Sequence, residues 1–147
     1  MIKNYFIEKS DGVFHAKKWN FELQNEIFKE LFLIAKECNN KARLCLHPSA
    51  NEKLQITYLA LLWPYVDQIH CHPFKTETVQ ILRGEADHNI YNNSRILIKK
   101  TRLSVKNNIG ITIDKGIWHN LTLQSKKVLI LEIGLGPFKE GSTKNFN

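Results

Sequence analysis

Apolar and polar residues alternate over short distances along most of this chain, and one stretch departs from that rhythm. From Phe21 to about Cys38, residues Phe21, Leu23, Ile27, Leu31, Ile34 and Ala35 recur at three- and four-residue intervals, with Asn20 placed to cap the start. The spacing predicts an amphipathic helix whose stripe must lie on the outside of a sheet or on a second subunit. After Asn39-Asn40 come β-rich runs separated by turn residues. They are Gln55 to Leu62, Gln68 to His72, Thr78 to Leu82, Ala86 to Tyr91, Arg95 to Leu103, Ile109 to Ile113, Asn120 to Leu123 and Val128 to Ile133. Asn92-Asn93 reads as a tight hairpin turn, and Gly84 and Gly116 occupy junctions where a residue without Cβ is useful. In residues 1 to 19, Asp11-Gly12 marks a turn between two short extended pieces. About eight short strands with no helices between them predict an antiparallel sandwich or barrel.

Composition narrows the class. At 147 residues, 43% hydrophobic and 24% charged, the chain suits one globular domain, and no apolar run approaches the ~20 residues of a membrane span. Residues 1 to 40 are expected as an N-terminal extension whose helix packs on the barrel, and 41 to 147 as the β domain. The first residues lack the apolar stretch of a secretory signal. Cys38, Cys45 and Cys71 are an odd number without paired spacing, which fits a reducing cytoplasm. A net charge of +7 invites a nucleic-acid reading, but the basic residues are scattered, and one helix leaves no room for a helix-turn-helix module. Steering of an anionic small molecule is the better use of that charge.

The chemistry concentrates in His70-Cys71-His72, followed by Glu77, Gly84 and the later Gly116-Ile117-Trp118-His119. On a strand, His70 and His72 share a face and Cys71 takes the other; a short loop brings Glu77 onto a neighbouring strand, and His119 arrives from a later one. Three imidazoles and a carboxylate suit a divalent transition metal.

These residues resemble the two motifs of the cupin superfamily, His-x-His with Glu and Gly, and Pro-x-Gly-x-x-His with a later Asn. The first matches at every spacing; in the second, Asp114 and Leu123 stand where Pro and Asn are usual. Arg43 to His47, Tyr65 and the run Glu132 to Phe138 further resemble the WbuC-type cupins over residues 40 to 138. The resemblance implies an all-β cupin jelly roll with an N-terminal amphipathic helix, and metal ligands His70, His72, Glu77 and His119. It leaves Fe, Mn, Ni and Zn open.

Candidates for substrate binding are Arg43, His47, Gln55, Tyr58 and Trp118, with Gln68 and Glu132 as further supporting groups; His15 and His88 are expected at the surface. The association of WbuC-type cupins with O-antigen gene clusters implies a metal-dependent isomerase, epimerase or lyase. Its ligand would be a sugar or sugar nucleotide of surface-polysaccharide assembly. An iron-dependent dioxygenase and a non-catalytic, metal-stabilised sugar-binding module are the alternatives. A homodimer is expected, because open strand edges need covering.

Overall fold

The computed structural model describes residues 1–146. Its first part holds α1 (Ile2–Tyr5), β1 (Phe6–Ser10), β2 (Val13–Ala16), α2 (Asn25–Glu37) and β3 (Lys41–Cys45). Next come β4 (Leu54–Leu62), β5 (His70–Cys71), β6 (Glu77–Arg83), β7 (Glu85–Tyr91) and β8 (Leu97–Ser104). The last part holds β9 (Gly110–Ile113), β10 (Trp118–Leu123), β11 (Lys127–Leu135) and β12 (Lys144–Asn145). Seven strands form one sheet in the order β1-β2-β3-β4-β11-β6-β9, and five form the other in the order β12-β5-β10-β7-β8. The fold is all-β with small N-terminal helices; the eight expected strands are present, β1 and β2 are the two extended pieces expected around Asp11-Gly12, and β3 and β12 are additional.

Among the strand ladders of the described residues, β2 with β3 is the single parallel pair. Parallel neighbours cannot be joined by a hairpin, and α2 supplies the crossover between them. Its stripe of Ile27, Leu31, Phe32 and Ala35 is buried against the outer face of β3 and β4, where Ala42, Leu44, Ala60 and Leu129 form one core with Phe6 and Phe14. The stripe is therefore covered within the chain and offers no apolar face to a second subunit. The helix starts at Asn25 behind Gln24, which makes no side-chain cap, rather than behind Asn20. Asn20 sits at φ 68, outside the helix, while Phe21 and Leu23 reach the same core from extended backbone.

A second core fills the space between the sheets, from Leu59, Leu61, Val79, Ile81, Ala86, Leu103, Leu121, Val128 and Ile130. Two turns fix its edges. Gly84 takes φ +79 with its α-carbon packed on Lys127, so that an added Cβ would lie 2.2 Å from the Lys127 carbonyl oxygen. Between β7 and β8 the chain makes a longer turn than an Asn-Asn hairpin. The Asn92 side-chain oxygen accepts from the N–H of Ser94 (2.9 Å) and Ile96 (3.0 Å), and Arg95 takes the positive φ.

Candidate metal centre

Register decides which side chains face the space between the sheets. His119 on β10 pairs with His70 on β5, placing two imidazoles side by side with ring centroids 4.4 Å apart. His72 follows His70 on the same face, 5.2 Å away, with Cys71 buried behind. Glu77 comes from β6, and the loop 73–76 carries it across to the facing sheet rather than to the neighbouring strand. The four side chains converge, each offering one ligand atom within 4.8 Å of the others.

Hydrogen bonding orients these ligands. His70 Nδ1 lies 2.8 Å from the Gln68 carbonyl, His119 Nδ1 2.8 Å from the Ile117 carbonyl, and His72 Nδ1 3.1 Å from the Ser142 carbonyl. Donation from each Nδ1–H leaves Nε2 to a cation, a metal ion when one is bound and otherwise a proton shared with Glu77. His119 Nε2 is 3.1 Å from Glu77 Oε1, and His72 Nε2 is 3.3 Å from Oε2. Lone pairs set against a carboxylate repel unless positive charge lies between them. Separations near 3 Å also suit neighbouring donors on a metal with bonds of about 2.1 Å. The residues therefore fit a divalent transition metal.

Protonation follows the same logic. Burial pushes Glu77 up, but hydrogen bonds from His119 and His72 outweigh it and hold the carboxyl well below the usual range. For His119, burial acts downward and the bond to Glu77 wins, raising it. Burial lowers His70, against the opposing charge of Asp67. Lys75 adds a cation 3.6 Å from Glu77 Oε2.

The substrate candidates separate by strand parity. Arg43 on β3 pairs with Leu59, and Glu132 on β11 with Thr57, so both face inward. Burial and the nearby Glu77 charge raise the Glu132 pKa, opposed by Arg43 and Lys41. Gln55 also lies on the inner face, its amide donating to the Ala50 and Glu52 carbonyls (both 3.0 Å). Gln55 lines a cleft of about 410 Å³ with Phe74, Lys75, Phe138, Lys139 and Ser142. Two of these residues touch the centre directly, Lys75 through Glu77 and Ser142 through His72. Tyr58 points the other way, with its ring 4.9 Å from Phe28 of α2, and Trp118 stacks on Phe146 at 4.1 Å on the outer face of β10. Alternation excludes both from the centre. His47 is buried beside His15, in a group separate from the four converging side chains.

Neither surface expectation for histidine survives in full. His88 is 1% exposed and stacks on His119 at 5.5 Å, and His15 is half-buried. Strand parity was the available signal for His88, since Ala86 and His88 share the inward face of β7. Sequence reasoning also missed Ser142, Thr143 and Asp67. Ser142 and Thr143 reach His72 because β12 folds back onto β5, a pairing without a local sequence signature.

No protein-family model and no curated protein matches the chain. Among solved structures it resembles the capsular polysaccharide assembling protein CapF from Staphylococcus aureus, with TM-score 0.62 and 13% identity over 74% of this chain and 30% of that one. It also resembles KdgF from Halomonas sp. (TM-score 0.56, 12% identity, 70% of this chain and 84% of that one). A third likeness is to oxalate decarboxylase from Lactobacillus farciminis (TM-score 0.54, 14% identity, 65% and 27%). The chain has the cupin fold. It spans about a third of the length of CapF and most of that of KdgF. Within this fold the His/Glu group lies between the two sheets, at the end opened by the cleft. Among the described residues no helix is long and apolar enough to cross a membrane.

Proposed function

We propose that His70, His72, Glu77 and His119 bind one divalent transition metal, Fe, Mn, Ni or Zn. We further propose that the protein is an isomerase, epimerase or lyase acting on a sugar or sugar nucleotide of surface-polysaccharide assembly. The observation that carries the metal is the convergence of three oriented imidazoles and one carboxylate, with one ligand atom of each within 4.8 Å of the others. The substrate class is supported by the adjoining cleft, where exposed Phe74 and Phe138 offer faces for a sugar or base and Lys75 and Lys139 offer charge for a phosphate. A structural likeness to a capsular polysaccharide assembling protein, and the likeness of Arg43 to His47 and of Glu132 to Phe138 to WbuC-type cupins, point to the same pathway class.

When bound, a divalent metal polarises a substrate carbonyl or hydroxyl. Around it, Arg43 presents a two-pronged donor to an anionic group. Burial and the Glu77 charge raise the Glu132 pKa, and its inward-facing carboxyl is the group that gives and takes protons at the sugar carbon. Gln55 orients from the cleft wall. Cytoplasmic residence and a homodimer complete the reading, the latter through the uncovered edges of β8 and β1.

The test is solvent-deuterium incorporation into a panel of nucleotide sugars, followed by NMR. Incorporation that stops on chelation, returns with one metal, is abolished by His70→Ala and falls roughly 100-fold in Glu132→Gln is the expected result. Full turnover in His70→Ala overturns the metal role. Saturable sugar-nucleotide binding with neither exchange nor product would make the protein a binding module.

A further inference from the structure

A second group of metal-ligating side chains lies outside the proposed centre. Cys45 and His47 are two residues apart at the end of β3 and share its inner face. His15 is the parallel register partner of Cys45 on β2, so it faces the same way. The Cys45 thiol and one nitrogen from each imidazole lie within 4.8 Å of one another. Cys45 and His47 are buried at 6% and 2% exposure, and His15 closes the group from a half-buried position.

The orientation of these groups matches that of metal ligands. His15 Nδ1 is 3.2 Å from the His47 carbonyl, and His47 Nδ1 is 3.1 Å from both the carbonyl and the N–H of Ile56. His15 can therefore donate from Nδ1 and leave Nε2 as a lone pair, the arrangement that fixes metal-bound histidines, whereas a metal on His47 Nε2 selects the tautomer that donates to the Ile56 carbonyl over the one that accepts from the Ile56 N–H. Thr57 Oγ1 donates to the Cys45 sulfur at 3.7 Å, a bond that also stabilises a thiolate. The apolar packing that accounts for Cys71 does not account for a thiol and two imidazoles collected from two strands.

We propose that His15, Cys45 and His47 form a second metal site, for zinc or a cation of similar softness. One thiolate and two imidazoles favour such an ion over the harder cations, and three protein ligands leave a fourth tetrahedral position for water. Between β3 and β6 the sheet runs through β4 and β11, three strand spacings or about 14 Å, so this site is separate from the Glu77 centre. Metal binding here releases the Cys45 proton and ties β2 to the end of β3. The inference stands independently of the function proposed above, whose ligands include no sulfur.

Cobalt(II) distinguishes the two sites, because only a thiolate ligand gives an intense sulfur-to-metal charge-transfer band in the near ultraviolet. The full chain carrying His70→Ala and His72→Ala should show this band on cobalt titration, saturating at one equivalent and displaced by zinc. Cys45→Ser should abolish it, Cys38→Ser should keep it, and His15→Ala should weaken cobalt binding by roughly 100-fold. If Cys45→Ser fails to fold, the His15→Ala affinity decides, since that residue sits at the partly exposed rim. Absence of the band, its survival in Cys45→Ser, saturation at half an equivalent from a metal shared between two chains, or unchanged affinity in His15→Ala would each overturn the site.

Discussion

Both ring nitrogens of His88 are buried without a hydrogen-bond partner, against the stacked ring of His119. Such a group favours its neutral form. Burial, with His119 beside it, brings the pKa down to about 4, and a cation in the adjoining centre would lower it further. The unfolded chain binds this proton at about pH 6.5, so the His88 contribution to stability is fully present above that pH and is lost as pH falls toward 4. The loss amounts to about 2–3 kcal/mol by pH 4.5. His88→Phe, which fills the same space, should remove that dependence: in urea titrations at pH 7 and pH 4.5, the variant gains on the wild type at the lower pH. Parallel losses in the two proteins would show that His88 is solvated. Gly84 makes a second point at this scale. Alanine there must hold φ +79 with its Cβ against the Lys127 carbonyl, so Gly84→Ala should cost at least about 2 kcal/mol, read as a lower urea midpoint with unchanged m-value.

Helix α2 was legible because its apolar residues repeat at helical spacing, β6 because buried and half-buried positions alternate from Glu77 to Ile81, and β4 and β11 because long, largely apolar runs are bounded by turn residues. β5 and β12 have two residues each and exist through their partners, so neither could be bounded from local pattern. β3 was hidden for another reason. Lys41-Ala42-Arg43-Leu44 does alternate, with Ala42 and Leu44 fully buried on the helix side and Arg43 exposed, but the run is only five residues long and follows the helix directly. Asn20 misled because an N-cap residue is recognised by the helical residues after it, and here Phe21 and Leu23 are needed as extended anchors of the outer core. This leaves Gln24 at the cap with extended φ and ψ and no side-chain hydrogen bond. Gln24→Asp should stabilise the protein by about 1 kcal/mol, by capping the first N–H groups and by facing the helix dipole. Leu31 lies at the centre of the same helix with no exposed surface, and Leu31→Ala should cost about 2–5 kcal/mol as it opens a cavity over β3 and β4. Thermal unfolding of the two variants should move in opposite directions. A neutral result for Gln24→Asp would place the helix start elsewhere.

At the scale of the molecule, the His-x-His spacing, Glu77 and His119 could be read as one group because cupin-like motifs encode which face of which strand each ligand occupies. The contacts that hold those ligands could not be read. The Ser142 carbonyl and Thr143 reach His72 across about 70 residues of chain, and the Lys41–Tyr65 bond of 2.7 Å forms only once β3 lies on β4. The proposed metal therefore joins the two sheets, with His70, His72 and His119 contributed from the five-stranded side and Glu77 from the seven-stranded side. A ligand that binds the folded state alone stabilises it by about 2.7 kcal/mol when present at a hundred times its Kd. For a chain of this size each kcal/mol shifts the melting temperature by roughly 2–4 °C, so stripping the metal should lower Tm by roughly 5–10 °C. Returning the correct ion should restore it. In His70→Ala the shift should shrink, because three ligands remain and Nε2 of His72 and His119 again face the carboxylate without a full coordination shell. An undiminished shift in that variant would assign the stabilising metal to a site other than the one between the sheets. A shift that vanishes in both His70→Ala and Glu77→Gln would fix it to these four residues, and would show that the two halves of the barrel are held together by the same ion proposed to serve the chemistry.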